Sequence, residues 1–226
     1  MSDRDFFREV DEAVRQDKYR KLWDQYGVYV LGAASIMVAG VAGYQGWSFW
    51  QEKRAAEAGA KFTQAQSIEN GPDAAKARKM FTALAEQGPA GYHVLARFQL
   101  AAAAAKAGET DKAVADYDAL AKDASVDSIL QGQATLQAAS LRLDKADYAE
   151  MEQRLRGLAE SDSAWRFSAR ELLGFSAYRL KNMREAEKQF NALIGDEATP
   201  PNLRERANMM IALIVGAPQT LSTTAR

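Results

Sequence analysis

The chain has 226 residues with 29 basic and 30 acidic side chains, so its net charge at pH 7 is −1. This balance excludes a protein that binds nucleic acid through a strongly basic face, because such a face needs an excess of lysine and arginine to neutralise the phosphate charges. The chain contains no cysteine and one histidine, His93, which excludes thiol nucleophiles, zinc–thiolate sites and pairs of histidine ligands.

Residues 1–25 are predicted to form an acidic, amphipathic leader on the cytoplasmic side of a membrane. Phe7, Val10, Val14 and Leu22 recur at nearly helical spacing, so they define one apolar face of a helix. We interpret the leader as a helix that lies on the membrane surface; a specific docking motif is the alternative.

Residues 26–51 are predicted to form a transmembrane helix. The 27 residues between Asp24 and Glu52 carry no charge, and a helix needs about 20 residues to cross a bilayer core. A buried helix of a soluble protein is usually shorter and interrupted by polar residues. A cleaved signal peptide has a shorter leader that is not acidic. We therefore expect a span that is retained in the protein.

Aromatic side chains mark both ends of this span. Tyr26 and Tyr29 lie at one end, with Trp47 and Trp50 at the other, and aromatic rings of this kind anchor helices at the two membrane–water interfaces. Five basic residues precede the span closely and three follow it. By the positive-inside rule, the N-terminus is expected in the cytoplasm and the C-terminal part in the periplasm.

The span also carries a stripe of small residues at spacings of three or four. Such stripes allow two helices to approach closely in lipid, although small residues are common in membrane helices in any case. The predicted packing residues are Gly32, Ser35, Ala39, Gly43 and Gly46.

Residues 52–215 are predicted to form one all-helical domain, followed by a disordered tail over residues 216–226. The region is rich in alanine, and no stretch alternates between polar and apolar residues over the length of a strand. Turns are expected near residues 88–90, 108–110, 145–147 and 182–184. Asp73, Thr110 and Ser161 are the predicted helix N-caps.

A pattern recurs four times in this region: a small or apolar residue, a large one four positions later, and leucine three positions after that. The four leucines are Leu84, Leu120, Leu158 and Leu193, at intervals of 36, 38 and 35 residues. A period in the mid-thirties predicts one helix hairpin per repeat, stacked into a solenoid. An ordinary helical bundle with chance spacing is the alternative.

One stretch resembles a tetratricopeptide repeat. In "LLGFSAYRLKNMREAEKQFNAL", Leu173 and Gly174 match the Leu–Gly pair of that repeat, Ala186 its small residue and Phe190 its aromatic residue. The match is fair around Ala113 and poor around Met151. The predicted fold is therefore all-α, with a single N-terminal transmembrane helix followed by a tetratricopeptide-like α-solenoid of stacked hairpins.

The order of segments resembles a bacterial inner-membrane family of ancillary SecYEG translocon subunits. An acidic leader ends in "WDQYG", the membrane helix ends in "GWSFW", and degenerate repeats follow. The resemblance implies an adaptor for protein secretion, with the SecYEG translocon and a membrane-anchored periplasmic chaperone as partners. A cell-envelope assembly scaffold unrelated to the translocon is the alternative.

No pattern of catalytic residues stands out, so neither an enzyme, a cofactor nor a small-molecule substrate is predicted. His93 has no partner in sequence, and Glu185 and Glu187 are expected on solvated helix faces. Carrying over the groove-facing positions of the repeat family predicts partner-binding residues at Phe98, Phe175, Tyr178 and Arg179. The aromatic ones could equally pack between helices.

Overall fold

The computed structural model describes the backbone of residues 3–223 and the side chains of residues 23–29, 31–89 and 91–216. This part of the chain contains nine α-helices and no strand, so the predicted all-α fold is confirmed. The helices are α1 (Asp3–Ile68), α2 (Ala74–Gln87), α3 (Ala90–Lys106), α4 (Thr110–Lys122), α5 (Ser128–Arg142), α6 (Tyr148–Ala159), α7 (Arg166–Arg179), α8 (Met183–Gly195) and α9 (Pro201–Thr223).

The chain divides into two compact units between Glu57 and Ala58, a border that falls within α1. The predicted leader and span both lie in the first unit, where the backbone is helical from Asp3 onward. The side chains of residues 1–22 lie outside the described residues, so the amphipathic face of the leader stays a prediction. Disorder of the tail over residues 216–226 also stays a prediction. The backbone of α9 is described to Thr223, but the side chains after residue 216 and all of residues 224–226 are not described.

The second unit contains four consecutive helix hairpins followed by α9. The first hairpin pairs residues 58–68 of α1 with α2, and the others are α3 with α4, α5 with α6, and α7 with α8. The turns inside the last three hairpins fall at residues 107–109, 143–147 and 180–182, close to the predicted positions. Successive hairpins also contact each other, which makes the unit a solenoid.

Every hairpin has a small, buried residue on its first helix. These residues are spaced by 36, 38 and 35, the same intervals as the repeated leucines. A small side chain allows the two helix backbones to approach closely, which a large one would prevent. The four residues are Ala65, Ala101, Ala139 and Gly174.

The repeated sequence pattern lies on the buried face of the second helix of each hairpin. The small position is fully buried in all four hairpins, at Ala77, Ala113, Met151 and Ala186. The large position four residues later is also buried, at Phe81, Tyr117, Leu155 and Phe190. Of the repeated leucines, Leu84, Leu120 and Leu193 are buried, and Leu158 is partly buried.

Met151 makes the third hairpin different from the others. It occupies a position that is alanine in the other three second helices, yet its side chain is fully buried. Helices α5 and α6 contact each other less than α3 and α4 or α7 and α8 do. Because methionine is larger than alanine, the weak sequence match at this repeat corresponds to a wider separation of the two helices, which the buried Met151 side chain fills.

Two of the hairpin turns are built in the same way. Gly108 and Lys181 each follow a first helix and adopt positive φ, 79° and 63° respectively. The next residue in each turn donates a backbone hydrogen bond to a carbonyl five positions earlier, from Glu109 to Ala104 and from Asn182 to Ala177. This is the Schellman arrangement that ends many helices, and it reverses the chain within three residues.

The predicted N-caps were wrong. Asp73 precedes α2 with ψ at 19° and makes no side-chain cap, Thr110 is already inside α4, and the Ser161 hydroxyl donates to the Leu158 carbonyl. The side chains that cap helices are those of Asp127, Asp147 and Asn182. These capping residues have backbone well outside the helical region, with ψ at 141° for Asp127, 171° for Asp147 and 72° for Asn182.

Gly174 is the position where the close crossing is tightest. A Cβ atom added there would lie 2.8 Å from the ring of Phe190, which is fully buried. We therefore expect Gly174→Ala to lower the free energy of unfolding by about 1–3 kcal/mol, since the buried ring would have to move away from the added methyl group. Denaturant unfolding followed by circular dichroism measures this change.

Gly157→Ala is the matched control, because a Cβ atom at Gly157 in α6 would meet nothing within 4 Å. That variant is expected to gain roughly 0.5–1 kcal/mol from the better helix propensity of alanine. Equal effects of the two substitutions would contradict a close crossing at Gly174.

Candidate interaction surfaces

Two of the predicted groove residues, Phe98 and Phe175, are half-buried between the helices of their own hairpins. The Phe98 ring lies 5.8 Å from that of Tyr117, and the Phe175 ring lies 5.6 Å from that of Phe190 in an edge-to-face arrangement. In both hairpins the neighbouring ring, Tyr117 or Phe190, is the large residue of the repeated pattern on the second helix. These rings therefore contribute to packing, and part of each side chain faces outward.

The other two, Tyr178 and Arg179, are half-buried at the end of α7. Tyr178 packs against the apolar cluster formed by α7, α8 and α9, and the Lys181 ammonium lies 5.8 Å from the centre of its ring. The Arg179 guanidinium donates a hydrogen bond to the Ala146 carbonyl in the preceding hairpin. Arg179 thus connects two hairpins.

The structure brings Phe175 and Tyr178 together in one apolar cluster, whereas Phe98 belongs to a separate cluster around α3 to α5. Their role in binding a partner stays a prediction. Sequence reasoning missed Phe62, whose ring lies 5.4 Å from that of Phe81. The signal was available, because Phe62 stands 36 residues before Phe98.

A network of ion pairs joins α4, α5 and α6. The Glu150 carboxylate accepts two hydrogen bonds of 2.9 Å from Arg142 and one of 3.2 Å from Arg154. Arg154 also donates to both oxygens of Asp118, at 2.7 and 3.0 Å. Arg142 lies 3.7 Å from the exposed Asp111. Sequence analysis did not identify this network, since its members lie on three different helices.

The network perturbs the titration of its members. Hydrogen bonds from Arg142 are the main cause that lowers the pKa of Glu150, with Arg154 adding to them. The Glu150 bonds raise the pKa of Arg142 in return. These side chains remain a quarter to a third exposed, at 30 % for Glu150 and 26 % for Arg142, so solvent screens the pairs in part.

Glu185 does not lie on a fully solvated face, in contrast to the prediction. It is half-buried and accepts a hydrogen bond of 3.1 Å from the Tyr148 hydroxyl in the preceding hairpin. Burial, followed by the Glu185 charge, raises the pKa of Tyr148. Glu187 is exposed, as predicted.

Several contacts between hairpins join residues one repeat apart. Arg206 of α9 forms a bidentate pair with Glu171 of α7, at 2.6 and 2.9 Å, over a separation of 35 residues. The Trp165 indole donates to the Ile129 carbonyl at 2.8 Å over 36 residues. The solenoid period is therefore repeated in its polar contacts as well as in its apolar interior.

An open cleft of about 320 Å³ lies between α2 and α4 above α3. Its lining combines small residues with charged ones, among them Arg78, Arg97 and Lys112. Arg97 is held by Asp123 at 2.6 Å, and hydrogen bonds from Ser125, followed by the bond from Arg97, lower the pKa of this aspartate.

His93, the one histidine of the sequence, lies in the first turn of α3 with a ring nitrogen against the Ala85 carbonyl. Within the described residues no group of three potential ligand side chains could hold a metal ion.

The first unit presents large apolar side chains outward. Of the described helices, one is long and apolar enough to cross a membrane, and it covers Trp23–Ile68 of α1. The predicted anchors Tyr26, Tyr29, Trp47 and Trp50 are 48–75 % exposed, and the Arg54 guanidinium lies 4.7 Å above the Trp50 ring.

The small residues of the span share one face of α1. A Cβ atom added at Gly32, Gly43 or Gly46 would meet nothing within 4 Å, and Ser35 and Ala39 are exposed as well. The helical period of 3.6 residues places all five within one quarter of the helix circumference. Their packing against a second membrane helix stays a prediction.

Comparison with known families gives a match over most of the chain. A family model described as "Tetratricopeptide repeat-like domain" matches residues 20–208, which includes the apolar block and all four hairpins. No curated protein and no solved structure matches the chain. The predicted resemblance to a tetratricopeptide repeat is therefore confirmed, and the resemblance to translocon subunits is not tested by this match.

Glu150 allows a test of the ion-pair network through pH. Because its pKa is lowered in the folded protein, its contribution to stability is complete above the ordinary glutamate pKa of 4.5. That contribution is lost as the pH falls through the lower, folded-state value. We expect Glu150→Gln to lower the free energy of unfolding by about 1–2 kcal/mol at pH 7. The difference from the unmodified protein is expected to shrink below about pH 4.5.

Urea unfolding from pH 3 to pH 8 measures this profile. Glu187→Gln is the control, since Glu187 is exposed in the same solenoid, and it is expected to change little at any pH. A difference for Glu150→Gln that stays constant over the whole pH range would show that the network does not act through the glutamate charge.

Proposed function

Since the chain belongs to the tetratricopeptide repeat-like domain family, we propose that it is a membrane-anchored adaptor that assists protein secretion at the Sec translocon. Repeats of this kind are typically scaffolds for protein–protein interaction, because their stacked hairpins offer extended surfaces. The observation that carries the proposal is the combination, in one chain, of four such hairpins with a helix that contains 27 consecutive uncharged residues.

The proposed location is the bacterial inner membrane, with a single span, a cytoplasmic N-terminus and a periplasmic solenoid. The excess of basic residues before the span supports this orientation. The exposed aromatic rings near both ends of the apolar block support its position across the bilayer.

We further propose two protein contacts. The stripe of small residues on α1 would pack against the SecYEG translocon within the membrane, since helices in lipid associate through close packing. The solenoid would bind a membrane-anchored periplasmic chaperone. The order of segments, with an acidic leader, one span and degenerate repeats, supports this choice of machinery.

The proposed orientation can be tested with spheroplasts. External protease is expected to degrade the solenoid and leave a membrane-protected fragment that contains the leader and the span. Mass spectrometry of the fragment identifies its ends. A solenoid that resists protease until the membrane is lysed, or a mature protein that lacks roughly its first 45 residues, would contradict the proposal.

The membrane contact can be tested by enlarging the small stripe. Gly43→Leu with Gly46→Leu is expected to lower crosslinking to translocon subunits in intact membranes, because the leucine side chains would separate the helices. Val38→Leu with Val41→Leu is the matched control, since both valines are exposed elsewhere on the same helix. Equal losses in the two double variants would argue against the stripe.

The periplasmic contact needs a probe that does not disturb packing, because truncating Phe175 would also remove its contact with Phe190. A photo-crosslinking amino acid at position 178 replaces one aromatic side chain with another. It is expected to capture the chaperone, whereas the same probe at Asn191, exposed on the second helix, is expected not to do so. Division or cell-wall proteins in place of the chaperone and translocon would favour the envelope scaffold.

A further inference from the structure

The cleft between α2 and α4 has a counterpart at each later step of the solenoid, because two successive second helices flank the first helix between them at every step. A second open cleft, of about 200 Å³, is lined by α6, α7 and α8 in the same way. The register of the steps follows from the starts of the second helices, which repeat at intervals of 36, 38 and 35 residues. These starts are Ala74, Thr110, Tyr148 and Met183.

The step between α4 and α6 is occupied by charged side chains of the chain itself. The Arg142 guanidinium on α5 donates to Glu150 of α6 at 2.9 Å. Arg154 of α6 donates to Asp118 of α4 at 2.7 Å and so joins the two flanking helices directly. The charges of this step are therefore satisfied within the chain.

The step between α2 and α4 has different residues at these four positions, and all four line the open cleft. A shift of 38 residues relates α5 and α6 to α3 and α4, and a shift of 36 relates α4 to α2. In this register Arg142, Glu150, Arg154 and Asp118 correspond to Ala104, Lys112, Asp116 and Thr82. A methyl group thus replaces the long arginine, and a lysine replaces its glutamate partner. The space is open, and the charge that faces it is reversed.

Two basic side chains at this cleft have hydrogen-bond donors to offer. Arg78 of α2 is exposed and pairs with no described carboxylate. Lys112 pairs with Asp116 at 2.8 Å, but its ammonium has three donors and its side chain is 59 % exposed. The Arg97 charge is balanced by the aspartate that follows α4. Glu109, the other carboxylate of the lining, lies in the exposed turn before α4.

The step between α6 and α8 does not share this charge. The residue that corresponds there to Lys112 is Glu185. Its carboxylate accepts hydrogen bonds from the Tyr148 hydroxyl at 3.1 Å and from the Lys188 ammonium at 3.0 Å. Of the three steps, the one between α2 and α4 therefore combines open space with a basic residue at the position of Glu150.

We propose that the cleft between α2 and α4 binds an acidic side chain of a partner protein. The carboxylate takes the position that the Arg142 guanidinium takes one step later, and it accepts hydrogen bonds from Lys112 and Arg78. Charge-assisted bonds between a carboxylate and these cations are stronger than neutral ones. This surface contains none of the predicted groove residues and no part of the membrane span, so the inference goes beyond the proposed function.

The test uses the full chain in phosphatidylcholine nanodiscs and three fluorescent peptides, hexaglutamate, hexaglutamine and hexalysine. Anisotropy titrations at low ionic strength measure binding, because salt screens exposed charges. Hexaglutamate is expected to bind more tightly than hexaglutamine. Arg78→Gln with Lys112→Gln is expected to weaken hexaglutamate about ten-fold, the range of two partly exposed ion pairs.

Lys79→Gln with Arg184→Gln is the matched control. It also removes one lysine and one arginine, and both are exposed outside the cleft. Because the net charge changes equally in the two double variants, the control measures the general electrostatic effect. It is expected to change the affinity for hexaglutamate much less, and circular dichroism confirms that each variant is folded.

A second measurement places a carboxylate in the cleft from the chain itself. Ala104→Glu is expected to melt about 1–3 °C higher than Ala104→Gln, which has the same size without the charge. This difference is expected to disappear when Arg78→Gln and Lys112→Gln are added. Ala104→Glu is also expected to abolish the binding of hexaglutamate that depends on these two cations.

Three outcomes would overturn the inference. The first is an equal loss of hexaglutamate affinity in the cleft variant and in its control. The second is hexalysine binding that Asp116→Asn weakens, because the cleft would then accept a cation. The third is equal melting of Ala104→Glu and Ala104→Gln. The assays contain neither translocon nor chaperone, so their failure would leave the proposed function unaffected.

Discussion

The close crossing of two helices in each hairpin is the constraint on which the second unit depends. A small residue on the first helix and, in three hairpins, alanine on the second bring the backbones together. The large residue four positions after that alanine then fills the space beside the crossing, as Phe190 does next to Gly174. Because every hairpin repeats this geometry after 35–38 residues, contacts between hairpins recur with the same period.

The exception at Met151 shows how the solenoid accommodates a larger side chain. Helices α5 and α6 are less closely packed, and the ion pairs of Glu150, Arg142 and Arg154 lie around this same hairpin. Polar contacts thus supplement apolar packing where the small residue is missing. Such pairs are partly exposed and individually weak, but a connected network fixes the relative positions of three helices.

The fold could be predicted from sequence because its main signals are local. The spacing of apolar residues reports which helix faces are buried, and the Gly, Pro and Asp clusters report where helices end. N-caps failed because capping depends on the backbone angles of one residue, and Asp73 and Asp127 differ in ψ although both are aspartates. The start of the solenoid is not marked by a helix end, because α1 continues from the apolar block to Ile68. The half-burial of Phe98 and Phe175 depends on which side chains of other helices they contact, and the spacing of residues in one sequence does not reveal those contacts.

The first helices of the solenoid differ in how completely the neighbouring helices cover them. Each internal first helix is covered on one side by the preceding second helix and on the other by its own. At the C-terminal side α9 has the first of these contacts and, among the described residues, lacks the second. On the side that no described residue covers, Met209 and Leu213 are 54 % and 55 % exposed. The apolar packing that each hairpin supplies to the next is therefore incomplete at α9 among the described residues.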